Sequence, residues 1–424
     1  MVSVEFKRDF DFENVPIDSF WNTGVQKEQK MHRIHAYPAK FPAFITTKAL
    51  EYVKQSDGFC PERIADIFCG CGTTAFEAKR NSIDFWGCDI NPVATLIAKA
   101  KSRKYQVGRL EKYYKTILKV YNESPSKNIY EYAPDRLKYW YYSEQYNDLA
   151  HLKDIILTVV PENSDYRLFF LCGFSNILKP TSKWLTKSIK PQVDPNKVPA
   201  KVIDAFKEQF KNMLTANEEI DDLSDAKSDI VTGNFLNDSW NIPNVDMIIT
   251  SPPYVTSYEY ADLHQLSSLW LGYVDDYKEL RDGTIGSLHH DYNFNRELKR
   301  LNSTGLKIVS LLLDQHKSKA RSVAKYFLDM QRVAQKSFSI LNNKGTALFI
   351  IGNTEYKNVR IDNARHLAES LHDAGFIKIS VTKRKISNKI LTPYRDSRGK
   401  FTTNKSGRKV YSEEFIILGK KGDE

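Results

Sequence analysis

The chain has 424 residues, 27% of them charged, and a mean hydropathy of −0.48. That length holds one large domain or two ordinary ones with a substantial core, and no run of about 18 apolar residues is present to form a membrane-spanning helix. The formal net charge is +10, which excludes an acidic, self-solvating chain and directs attention to where the excess lies.

It lies in one place. Between Lys378 and Lys409 there are eleven basic residues and a single acid, Asp396, so this stretch alone carries the chain's whole excess. A localised cationic strip suits a polyanionic partner, because neutralised phosphates release counterions; a solvated basic loop is the plainer alternative. The N-terminus lacks the apolar core of a signal peptide. The five cysteines (Cys60, Cys69, Cys71, Cys88, Cys172) are too few and too clustered for a disulfide framework, and none is spaced with a His as in a zinc site. A reduced cytoplasm and no metal are expected.

In chain order, Arg63–Phe68 predicts a buried strand, Thr73–Arg80 a helix, Ile83–Cys88 a second strand, and Asn91-Pro92 the capped start of another helix. From about Lys101 to Lys227 the chain is Tyr- and Lys-rich with helical periodicity. Strands resume at Asp229–Thr232 and Val245–Thr250, followed by a helix around Tyr326–Leu341, a strand at Thr346–Ile351 and a helix at Asp362–Ala374. Two last strands, Ile377–Thr382 and Glu414–Leu418, flank the basic loop. Neither half has enough strands for a doubly wound sheet, but together they supply about seven. We therefore expect one α/β domain from residues 31–100 and 228–424, with a helical insertion at 101–227 and an N-terminal arm at 1–30.

Asp66-Ile67-Phe68-Cys69-Gly70-Cys71-Gly72-Thr73 is a strand, a glycine-rich turn and a helix start. Glycine is needed where backbone takes positive φ or approaches a ligand. Asp89, at the end of the second strand, is placed to accept hydrogen bonds from ribose hydroxyls. Gly70-x-Gly72-x-x-Ala75 also satisfies the dinucleotide pattern, so NAD stays open on these residues alone. Phe68 before the turn and the Asp66 carboxylate favour a ligand with a cationic amine and sulfonium, since a carboxylate repels pyrophosphate. Upstream, Tyr37-Pro38-Ala39-Lys40-Phe41 is a stiff amphipathic turn that either walls the same ligand or packs a helix on the sheet.

Val245–Thr250 delivers Ser251-Pro252-Pro253-Tyr254 at the carboxyl edge of a strand, where open α/β sheets bind ligands. An exocyclic amino group on a base is a poor nucleophile because its lone pair is delocalised. Ser251 Oγ and the Pro252 carbonyl can accept its two N–H bonds and favour a pyramidal nitrogen, and two prolines fix that carbonyl. Tyr254 offers a face for a base taken out of its stack. The alternative is a polyproline turn or short recognition peptide. No Pro-Cys dipeptide occurs, so the covalent route to ring carbons has no candidate.

These two motifs, Phe68-Cys69-Gly70-Cys71-Gly72 and Ser251-Pro252-Pro253-Tyr254, resemble those of the amino-methyltransferases of DNA, over about residues 30–100 and 228–420. The resemblance implies a Rossmann-like methyltransferase fold with a seven-stranded, mostly parallel sheet. It implies S-adenosylmethionine as cofactor, double-stranded DNA as substrate and, in some members, a cognate restriction endonuclease as partner. It also assigns Tyr37 to Phe41, Asp66, Phe68, Gly70, Gly72, Thr73, Asp89 and Ile90 to the cofactor. Ser at the first catalytic position is typical of cytosine-N4 enzymes and Asp of adenine-N6. Where the family often has an acid after its third strand, this chain has Asn234-Phe235, which either contacts the base or cofactor or turns the chain.

For recognition, the 101–227 insertion and the long connection Val255–Ser322 both qualify. Lys183 and Lys187 flank Trp184 in an acid-free stretch that suits phosphate contact with one stacking ring; a buried Trp is the alternative. Tyr258, Tyr260, His264 and Trp270 either line the base pocket or pack its cover. Arg384, Lys385, Arg395 and Arg398 are phosphate candidates in the basic strip. The resemblance puts cytosine-N4 methylation of DNA first; adenine-N6 methylation, RNA base methylation, a non-catalytic DNA-binding module and a hydride-transfer enzyme are the competing readings.

Overall fold

The computed structural model describes residues 2–24, 27–38, 40–220, 223–237, 240–255, 260–287, 293–386, 394–396, 401–402, 404, 408–409 and 412–423. Its centre is an eight-stranded sheet. We number its strands β1 (Val4–Glu5), β2 (Arg63–Asp66), β3 (Asp84–Asp89), β4 (Ser228–Thr232), β5 (Val245–Thr250), β6 (Leu341–Ile351), β7 (Lys378–Lys385) and β8 (Glu413–Lys420). Their order across the sheet is β1-β7-β8-β6-β5-β2-β3-β4. The run from β6 to β4 is parallel, whereas β8 is antiparallel to both β6 and β7.

The seven expected strands are all present, in a mostly parallel, doubly wound order. The eighth strand is an addition. The expected N-terminal arm does not stand apart: Val4 pairs with Val381 and Glu5 with Ser380 at the sheet edge. Two residues give no alternating pattern to read, so pairing decides this strand and sequence does not.

Alternation along the strands sorts side chains into two layers. Ala347, Phe349 and Ile351 of β6 face one apolar core, and Leu348 and Ile350 face the other. The first core holds two helices, Ser303–Leu313 and Lys317–Ile340, together with Asn363–Asp373; the second holds Phe44–Asp57. Helix Lys317–Ile340 begins nine residues before its expected start at Tyr326, and β6 begins five before Thr346.

Two helices build the turn region: α1 (Thr73–Arg80) and α2 (Pro92–Lys101). Asn91 caps α2 as expected, its side chain accepting from the Val93 amide at 3.0 Å. The insertion folds as helices, the long ones being Val107–Glu123, Ser143–Val159, Asp165–Ile177 and Val202–Glu218. Its apolar cluster is continuous with Phe76 of α1 and with Val93, Ile97 and Ala100 of α2, and includes Leu266 and Trp270. The insertion is thus packed onto the cofactor-motif helices. No helix among the described residues is long and apolar enough to cross a membrane.

Candidate functional site

β2 and β5 are neighbours at the centre of the sheet, so the glycine-rich turn and the Ser-Pro-Pro-Tyr turn emerge side by side. Between them lies a cavity of about 440 Å³, in the range of ligand sites. Its lining includes Tyr37, Lys40, Phe41, Phe68, Gly70, Thr73, Asp89, Ile90, Asn234 and Phe235 from the expected cofactor residues, and Ser251, Pro253 and Tyr254 from the expected catalytic turn. Pro38 is half-buried and Pro252 buried, both off the cavity wall. Ala39 lies outside the described residues.

Two glycines make the turn possible. Gly70 has φ +47° and Gly72 φ +73°, a region L-residues avoid. A Cβ on Gly72 would sit 2.6 Å from the Ala98 Cβ, so Gly72 permits α2 to pack close rather than touching the ligand space. Gly70 presents its backbone to the cavity opposite the Tyr37 ring. Asp89 fixes that turn: its carboxylate accepts from the amides of Gly70 and Asn91, each at 2.9 Å. Burial pushes the Asp89 carboxyl up to about 6, against the pull of those two amides. Each oxygen keeps lone-pair capacity for a diol.

Asp66 is elsewhere. It is 1% exposed and off the cavity wall, accepting from Thr250 Oγ1 at 2.7 Å, Thr74 Oγ1 at 2.9 Å and the Phe68 amide at 3.2 Å. Burial raises its carboxyl to about 6 while these donors oppose the rise. In this arrangement Asp66 is the joint between the two turns, because Thr250 directly precedes Ser251. A carboxylate committed to three protein donors has little left for a ligand amine. Asn234 is similarly engaged: its amide donates to the Gly283 carbonyl at 2.8 Å and its oxygen accepts from the Leu236 amide at 2.8 Å. It anchors the 280–287 segment over the cavity while lining it.

In the Ser251–Tyr254 turn, the Ser251 hydroxyl donates to the Ile350 carbonyl at 3.0 Å. Its single proton is spent on the sheet, leaving oxygen lone pairs for the cavity side. The Pro253 carbonyl accepts from the Tyr326 hydroxyl at 2.8 Å, which ties the turn to helix Lys317–Ile340. Tyr254 donates to Glu414 Oε1 at 3.3 Å, and Arg384 donates to Glu414 Oε2 through Nε at 3.0 Å and a terminal nitrogen at 2.7 Å. Burial and the Glu414 carboxylate hold the Tyr254 phenol well above its ordinary range, so it remains a donor.

The aromatic expectations divide. Tyr260 lines the cavity, and Tyr37 stacks on His264 at 5.1 Å between ring centroids. His264 is buried, its imidazole pushed down to about 3 by desolvation, hence a neutral packing ring. Trp270 belongs to the insertion's core, and Tyr258 lies outside the described residues.

Among phosphate candidates, Arg384 is 3% exposed and ion-paired with Glu414, so it is a structural cation and cannot reach a phosphate. Trp184 is 2% exposed and stacked on Trp140 at 4.9 Å, which makes it core and leaves no ring to wedge into a stack. Lys183 lies over the Tyr142 ring at 5.1 Å, half-buried, while Lys187 and Lys385 are exposed. The Arg395 backbone pairs with Phe401 and Arg408, but its side chain, like Arg398, Lys389 and Lys400, lies outside the described residues.

Sequence reasoning missed Tyr326, the Gly283–Ser287 segment and Glu414. Gly283 and Gly286, both at positive φ, mark that segment as a tight loop, the one signal that was available.

The chain is similar in sequence to known proteins. A family model described as DNA methylase matches residues 6–100. The Type II methyltransferase M.MvaI of Kocuria varians is 23% identical over 94% of this chain and 92% of its own. The Type II methyltransferase M.BsoBI of Geobacillus stearothermophilus is 26% identical over 65% of this chain and 59% of its own. Among solved structures, the rRNA methyltransferase aviRa of Streptomyces viridochromogenes superimposes with a TM-score of 0.27 at 9% identity, covering 91% of this chain and 88% of that one.

Proposed function

We propose that the chain, which is similar to Type II DNA methyltransferases, methylates the exocyclic N4 of cytosine in double-stranded DNA after the base is flipped. The methyl donor of this family is S-adenosylmethionine, which supplies an electrophilic methyl on a sulfonium. The cavity suits that molecule: aromatic Phe68, Tyr37 and Phe41 wall it, and Asp89 offers a carboxylate for a ribose diol.

The observation that carries the proposal is the Ser251 hydrogen bond. With its proton held by the Ile350 carbonyl at 3.0 Å, Ser251 Oγ faces the cavity as a neutral acceptor. Together with the Pro252 carbonyl it accepts the two N–H bonds of an amino group and turns its lone pair toward the methyl. A hydroxyl here is one atom shorter than a carboxylate, and takes less charge to the smaller pyrimidine ring. After transfer the nitrogen is cationic and acidic, and its extra proton passes to water.

Exposed Lys187 and Lys385, with half-buried Lys183 and with Arg395 and Arg398 of the basic loop, are the proposed phosphate contacts. The 101–227 helical region is the proposed target-recognition unit, and a cognate restriction endonuclease the proposed partner in the cell. The test is purified protein with S-adenosylmethionine and genomic duplex DNA, followed by mass spectrometry of the nucleosides. N4-methylcytosine is expected. N6-methyladenine alone would overturn the base assignment, and no transfer to duplex DNA alongside transfer to RNA would overturn the substrate.

A further inference from the structure

Tyr254 is held from behind by an ion pair that belongs to neither motif, between buried Arg384 and half-buried Glu414. Arg384 on β7 and Glu414 on β8 are direct cross-strand partners, and the two side chains meet with both Arg donors on one Glu oxygen. The other oxygen takes the Tyr254 hydroxyl. The tyrosine ring edge also rests on Gly352, where a Cβ would come within 3.1 Å of the ring. The ring is therefore fixed at its hydroxyl and along its edge, with a cavity in front of it.

That arrangement is expensive for a purely structural device. An Arg 3% exposed has lost most of its hydration, and buried ion pairs seldom stabilise a fold relative to apolar packing. What two donors on one carboxylate oxygen supply is orientation: they leave the other oxygen at a fixed point. Terminal rotation of a tyrosine ring is otherwise soft. β7 and β8 are also the two strands that carry the basic loop between them, so the anchor of the ring and the root of that loop are the same pair of residues.

We propose that Arg384 and Glu414 are positioning residues for methyl transfer: they set the plane of the Tyr254 ring against which the flipped base stacks. This rests on the reading of Ser251–Tyr254 as the catalytic turn. Removing the anchor frees the ring, so fewer bound bases sit in line with the methyl and the loss appears in kcat. Binding of DNA and of the methyl donor is untouched, because neither Arg384 nor Glu414 lines the cavity and Arg384 is closed to solvent.

The experiment is steady-state methylation of a duplex by the full-length protein, with Tyr254→Phe, Glu414→Gln, Glu414→Ala and the Tyr254→Phe/Glu414→Ala double variant. Tyr254→Phe keeps the ring and deletes only its tether, so it also serves if Glu414→Ala folds poorly. We expect Tyr254→Phe and Glu414→Ala each to lower kcat about tenfold, the scale of one hydrogen bond to a charged group, with KM for DNA within about twofold. The double variant is expected to be no slower than the worse single one, and Glu414→Gln, which keeps an acceptor oxygen, to recover most of the rate. Multiplicative losses in the double variant, or losses confined to KM for DNA that vanish at low salt, would overturn the inference. A wild-type protein that methylates no duplex DNA would instead overturn the catalytic reading, and the inference with it.

Discussion

Ser251→Ala tests the centre of the proposed chemistry. In the folded protein its hydroxyl makes one hydrogen bond, to the Ile350 carbonyl at 3.0 Å, at a half-buried position. Deleting it costs about 1 kcal/mol of stability, too little to unfold a domain of this size. The catalytic cost is larger, because an oriented acceptor in a preorganised site matters most where charge develops. Loss of one comparable donor elsewhere lowers kcat by about 10²–10³. The assay is single-turnover transfer of a labelled methyl to duplex DNA, with calorimetric binding of S-adenosylmethionine as the control. We expect the rate to fall by that factor while cofactor affinity stays within about threefold, since Asp89, Phe68 and Gly70 are untouched. A rate loss under about threefold would refute the assignment of Ser251 as acceptor, and an equal loss of cofactor affinity would mean it acts through the pocket's shape.

Asp66 carries a pH signature: its carboxyl is raised to about 6 from 3.8 by burial. The folded state thus holds its proton more tightly than the unfolded one; the group's cost is absent below the unfolded value, grows as pH rises from about 4 to 6, and is fully present above, reaching about 3 kcal/mol. Urea midpoints at pH 4.5 and 7.5 for wild type and Asp66→Asn should show wild type gaining on the variant at the lower pH; parallel curves would contradict the burial argument. Trp184→Ala should cost about 3–5 kcal/mol by chemical denaturation, and the salt slope of DNA binding should be unchanged for any fraction that stays folded. Lys187→Ala and Lys385→Ala should each reduce the slope of log affinity against log salt by about one; if neither moves it, those exposed lysines are not phosphate contacts.

Both turns were legible because their chemistry is local. Gly70 and Gly72 announce backbone that needs positive φ, and Ser251-Pro252-Pro253 announces a rigid end to an apolar strand. Asp89 was legible for the same reason, as the residue that ends β3. Asp66 was found at the right place with the wrong task, since nothing in its neighbours reveals that Thr250, 184 residues away, claims it. The Arg384–Glu414 pair depends on antiparallel register, and composition alone had put Arg384 with the loop lysines. Trp184 was ambiguous in sequence for want of its partner Trp140, from which two long helices of the insertion separate it.

The Asp66–Thr250 hydrogen bond closes the chain across the whole insertion, and this bears on how such a protein changes over generations. The entropy of closing a loop grows only with the logarithm of its length, about 0.6 kcal/mol per doubling. The segment between β3 and β4 can therefore be lengthened, trimmed or exchanged at small thermodynamic cost, provided its replacement covers the exposed apolar side of α2. What has to stay in place under such exchange is the clasp. A different insertion can be grafted onto the same sheet, and the two turns beside it need not move.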